Sequence, residues 1–125
     1  MKKLLLILLC LGLVGCAGTG FDYGVKRQQS MNTAKRNNQN MARLSIGMLK
    51  EDAIAIMGSP DKTEAYSLGD KQIEFLLYRT QAVDGALDDV DANFTPVAIE
   101  KGKVIGWGRN FYDQTIKLKL EIKRD

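Results

Sequence analysis

The sequence predicts an α+β fold: two N-terminal helices packed as one layer on a small antiparallel sheet of three to five strands. Three observations lead there. Apolar residues recur at helical spacing before Pro60. Beyond Pro60 the spacing drops to two, with Gly, Asp and Ser between the runs. Helical patterns come first and strand patterns after, the order of a segregated two-layer domain.

The elements follow in chain order. Lys2-Lys3, the apolar run Leu4–Leu11 and the small Gly15 have the layout of a secretory signal peptide over residues 1–15. Leu4 to Val14 is about half of the ~20 residues that span a bilayer, which argues against a membrane-crossing anchor. Leu13-Val14-Gly15-Cys16 resembles the lipobox of bacterial lipoprotein signal peptides. That resemblance implies cleavage before Cys16, a diacylglyceryl thioether on Cys16 as the lipid attachment, and usually an acylated α-amine. Ala17 stands where an Asp would favour inner-membrane retention, so the resemblance implies an outer-membrane anchor facing the periplasm.

Residues 16–29 read as a lipidated flexible tether. Gly18, Gly20 and Gly24 are set among polar residues, and only Phe21 and Tyr23 are large and apolar. Fully extended, residues 17–29 would reach ~40 Å.

Residues 30–125 form the domain. Ser30 can cap a helix running to about Leu44, with Met31, Ala34, Met41 and Ala42 on one stripe and Asn38 interrupting it. So thin a stripe suits a helix lying against a sheet, and its Asn/Gln-rich remainder suits a solvated face. Gly47-Met48 precedes a second helix, Leu49 or Lys50 to Met57. Glu51 and Asp52 lie in its first turn, and Ala53, Ile54, Ile56 and Met57 form its buried face. Gly58 is placed for a left-handed C′ conformation and Pro60 blocks continuation.

Strands are expected at Lys62–Tyr66, after which Ser67-Leu68-Gly69-Asp70 turns, and at Lys71–Gln81. Ile73, Phe75 and Leu77 share one face of the longer strand; Leu76 and Tyr78 make the other apolar too, which predicts a central strand covered on both sides. An acidic loop, Val83–Asn93, leads to a hairpin of Phe94–Glu100 and Lys103–Trp107 about Lys101-Gly102. Ile116, Leu118, Leu120 and Ile122 alternate with Lys117, Lys119, Glu121 and Lys123, a pattern of a half-exposed strand, although Lys, Leu and Glu also form helices well.

Ile46-Gly47-Met48, the acid-started helix and Gly58-Ser59-Pro60 together resemble the BamE (SmpA/OmlA) lipoprotein superfamily, whose members also begin with a lipobox and a flexible tether. Phe75–Thr80 and Thr95-Pro96 to Gly106-Trp107-Gly108 are more similar to an uncharacterised branch of proteobacterial lipoproteins with that fold. The resemblance implies two helices on a three-stranded antiparallel sheet, with Gly47, Met48, Gly58 and Pro60 as fold-determining positions. BamE is an accessory subunit of the outer-membrane β-barrel assembly machinery, and the fold is also related to the β-lactamase inhibitory protein. Leu49 stands where those proteins commonly place a capping Thr or Ser.

The composition narrows the chemistry. The chain has 125 residues, no histidine and two cysteines. Ser-His triads, His-metal sites and the commonest general base are therefore excluded. With the processing that the lipobox resemblance implies, Cys10 leaves with the signal and Cys16 becomes a thioether, so no thiol remains for a disulfide, a metal or a nucleophile. Cleavage removes Lys2 and Lys3, taking 18 basic residues to 16 against 15 acidic ones, so the formal charge falls from +3 to +1. Neither nucleic acid nor a cofactor is expected as a ligand. Asp84, Asp88, Asp89 and Asp91 make the loop acidic. Asp89, Asp91, Asn93 and Glu100 fall at positions 1, 3, 5 and 12 of an EF-hand-like calcium loop, with Phe94 where glycine is needed. Gly106-Trp107-Gly108 reads either as an exposed aromatic platform or as a core tryptophan at a bulge or strand end.

The expected protein is a monomeric, non-catalytic interaction module held at the membrane by its N-terminal lipid, with another envelope protein as partner. An enzyme inhibitor or ligand-binding module, and a calcium-binding envelope protein, are the alternatives.

Overall fold

The computed structural model describes residues 20–82 and 90–124, with side chains from residue 24 onward. Four strands make one antiparallel sheet in chain order: β1 (Lys62–Leu68), β2 (Lys71–Arg79), β3 (Phe94–Glu100) and β4 (Lys103–Trp107). Helices α1 (Gly20–Met41) and α2 (Lys50–Met57) precede the sheet, and α3 (Arg109–Ile122) follows it.

Both faces of the sheet are covered. On one, Leu76, Tyr78, Val97, Ile99 and Val104 pack with Met41 and Leu44 and with Ala53 and Met57 of α2. On the other, Ile73, Phe75, Leu77, Phe94 and Ala98 pack with Phe111 and Tyr112 of α3. Apolar residues on both faces of β2 predicted this double cover. The element providing the second layer is a correction: residues 116–122 lie in a helix, not a strand, so the domain has three layers instead of two. Phe111, Tyr112 and Thr115 sit at helical spacing, and Gly108, at φ 107°, turns the chain from β4 back across the sheet. Helical propensity and this cover outweigh the alternation, which leaves Leu118, Leu120 and Ile122 each more than half exposed.

The first helix is also corrected. It starts at Gly20, so residues expected in the tether are helical, and it stops at Met41. Its buried stripe is Ala34, Asn37 and Met41, continued by Leu44 beyond the helix; Met31 and Ala42 are exposed. Packing fixes the C-terminal half, and each further residue then adds a hydrogen bond at little cost, which carries the helix through Gly24.

The second helix keeps its expected limits. Ala53 and Met57 are buried; Ile54 and Ile56 are half-buried. Leu49 supplies no side-chain cap, and the Lys50 amide donates instead to Gly102 O at 2.8 Å. Gly58 has φ 81° and ψ −171°, a glycine-only conformation with positive φ but not the left-handed helical one expected. The buried Tyr78 hydroxyl donates to Gly58 O at 2.9 Å, tying the end of α2 to β2.

Candidate interaction site

The two outer strands of the sheet differ. At β4 the segment before α2 closes the edge: Gly47 N donates to Val104 O at 2.7 Å, and Val104 N to Met48 O at 2.9 Å. A further bridge joins Leu49 to Lys103. Gly47, at φ 90°, makes the bend that permits this, while Met48 is half-buried against the core. Two of the four positions assigned to the fold motif, Gly47 and Met48, therefore seal one sheet edge, a role that spacing alone did not reveal. Pro60 ends the α2 connection, and Asp61 behind it pairs with β2, accepting the Arg79 amide at 2.9 Å.

No strand pairs with the outer side of β1 among the described residues. In an antiparallel ladder alternate residues turn their amide and carbonyl groups away from the neighbour, so this side of β1 offers a row of backbone donors and acceptors.

The two faces of β1 are unlike. Towards α2 it presents Thr63, Ala65 and Ser67, all small and exposed. Because α2 is only eight residues long, a trough of about 420 Å³ remains there, bounded by Ala65, Ser67, Gln72, Glu74, Lys50 and Lys101. The Lys50 ammonium is held by both oxygens of Glu74, at 2.8 and 2.9 Å. Lys101 has φ 50° in the tight β3–β4 turn and is exposed.

On the opposite face β1 is clamped to α3. Glu64 Oε2 accepts the hydroxyls of Tyr66 at 2.7 Å and Tyr112 at 2.5 Å, and those two hydroxyls lie 3.1 Å apart. Lys119 Nζ lies 4.3 Å from the Tyr66 ring centre and the Arg109 guanidinium 5.0 Å from that of Tyr112. Burial, and then the hydrogen bond to Glu64, push the Tyr112 hydroxyl well above its ordinary value. At Tyr66 the neighbouring Tyr112 hydroxyl acts downward, but burial and Glu64 outweigh it and the net shift is up. Both phenols stay protonated near neutral pH, so they serve as hydrogen-bond donors and not as bases.

The other predicted positions are dispersed. Cys16, Asp84, Asp88 and Asp89 lie outside the described residues. Asp91 begins a 3-10 turn (Asp91–Asn93), where its carboxylate is 3.9 Å from Lys62 and its carbonyl accepts from Arg109. Asn93 is buried, and Glu100, 4.0 Å from Lys71, ends β3. Seven extended residues separate the ends of β3 by ~20 Å, so Asp91 and Asn93 do not meet Glu100 in a calcium loop. Among the described residues no group of three or more acidic, Cys or His side chains could hold a metal. Trp107 is half-buried against the α1–α2 side of the core and pairs with Val97. Gly106 lies under Phe111, and the register shifts between Ala98 and Ile99.

Asn37 and Asn38 gave no sign of their role. Asn37, expected on the solvated face, is buried and donates to Arg79 O, while the exposed Asn38, expected to interrupt the stripe, donates to Thr80 O, each at 2.8 Å, at the end of β2.

Fold and edge together define a small three-layer α+β module with one sheet edge sealed and the other open. A family model matches residues 15–114, four-fifths of the chain, and the chain belongs to that family, described as "Protein of unknown function (DUF3192)". Comparison with curated proteins finds no match, and comparison with solved structures finds none either. The matched residues end within α3, so Leu118, Leu120 and Ile122 lie beyond them.

Proposed function

We propose that this chain is a lipoprotein anchored through Cys16 to the outer membrane, facing the periplasm, with a non-catalytic domain that docks on another envelope protein. The open edge of β1 carries this reading, because a partner's extended segment can satisfy a row of backbone groups there. The kinship with the BamE superfamily belongs to the same proposal. Its support is the order of two helices and an antiparallel meander, with Gly47-Met48 and Gly58-Ser59-Pro60 at the junctions. The fourth strand and α3 are departures from that pattern. An accessory role in β-barrel assembly or envelope integrity follows from the kinship. Among the described residues no helix is long and apolar enough to cross a membrane.

Affinity capture of the full-length chain from crosslinked native membranes, beside a Cys16→Ala form, tests the proposal. Enrichment of β-barrel assembly subunits by the lipidated form alone is expected. A different dominant partner would remove the assembly role. Equal capture by the Cys16→Ala form would remove the dependence on anchoring.

A further inference from the structure

We infer that the open edge of β1 takes an extended segment of a partner protein whose side chains alternate between acidic and apolar. The inference rests on the interaction-module reading above and says what the partner presents.

A strand added beside β1 continues the pleat, so its side chains point alternately into the trough and towards α3. On the trough side it meets small side chains, Thr63, Ala65 and Ser67, which leave room for larger ones. The charge there is positive: Glu74 is already engaged by Lys50, and among the described residues Lys101 has no ion-pair partner. A carboxylate fits that side and a second ammonium does not. On the α3 side it meets Tyr66 and Leu68, both half-buried, with Lys119 Nζ 4.3 Å from the Tyr66 ring centre. Apolar residues fit there.

A second copy of this chain fits less well. Two β1 strands paired antiparallel are related by a two-fold axis normal to the sheet. The axis keeps each face of the sheet on its own side, so a second copy would bring Thr63, Ala65 and Ser67 to the trough and no carboxylate to Lys101.

The test is hydrogen exchange of the β1 amides in the full chain as purified from membranes. The probes are two acetylated seven-residue peptides, one alternating Ile and Glu and one alternating Ile and Lys. The Ile/Glu peptide is expected to slow exchange in Lys62–Leu68 and not in β4. Lys101→Glu, an exposed change in the same turn, should weaken it about tenfold and improve the Ile/Lys peptide. Equal protection by both peptides, protection elsewhere, or none would overturn the inference. Protection of β1 that rises with protein concentration alone would assign the edge to a second copy. Intact mass of the same sample reports acylation of Cys16, so a failure of anchoring and a failure of the edge appear in separate measurements.

Discussion

Asn37 carries more structure than its composition suggests. It is 2 % exposed, and its Nδ2 supplies the hydrogen bond that ends β2 at Arg79 O, while its Oδ1 is buried without a partner. Asn37→Ala removes the bond to the Arg79 carbonyl but also the orphan Oδ1. A net loss of about 1 kcal/mol is expected. In a domain of this size that lowers the Tm by about 4–8 °C in a thermal melt. Asn38→Ala, at an exposed bond, should change it by less. The contrast with Gly58 shows what was legible at this scale. A positive φ at the end of α2 follows from neighbours in sequence, helix before and proline after. The partner of Asn37 is 42 residues away, and residue type alone pointed to solvent. Glu64, Tyr66 and Tyr112 were hidden for the same reason, since only the fold brings the two tyrosines together.

Among the elements, α3 was misread because its final turns are ambiguous. Four apolar residues alternating with charged ones make one face of a strand, whereas in a helix they scatter around the axis. The deciding signal lay upstream, in Phe111, Tyr112 and Thr115, and in an apolar face of β2 that had been left with nothing to cover it. The tether was misread from its glycines, whose cost to a helix is outweighed once packing has nucleated the next turns. Helix α3 depends on close approach at Gly106: a Cβ there would lie 2.9 Å from two carbons of the Phe111 ring. Gly106→Ala is therefore expected to cost about 1–3 kcal/mol by forcing α3 off the sheet, seen as a lower Tm. Adding Phe111→Leu should recover part of that loss in a double-mutant cycle, because the clashing ring is gone.

Across the whole molecule, buried phenols set the response to alkali. Burial, reinforced by the Asp61 charge, raises Tyr78 from 10.0 to about 12, and Tyr112 is shifted in the same direction. Below the unfolded value both states keep these protons, so the stability from burying neutral phenols is complete. As pH rises past it the unfolded chain ionises first, and stability falls until the folded groups ionise too. The Tm should thus be flat from about pH 7 to 9 and fall above about pH 10. Tyr78→Phe should shallow that fall, and an unchanged slope would show that Tyr78 does not govern it.

The long first helix changes what anchoring would mean for such a module. A coil lets its cargo wander through a hemisphere; a helix acts as a mast. On the anchored reading, the three residues 17–19 span at most ~10 Å from the bilayer. The ten helical residues Gly20–Gln29 then add ~15 Å of fixed height, and the open strand edge rides at the top of that mast. Its search is confined to a thin shell close to the membrane, which raises the local concentration it presents to partners rooted in the same bilayer and lowers it for any beyond reach.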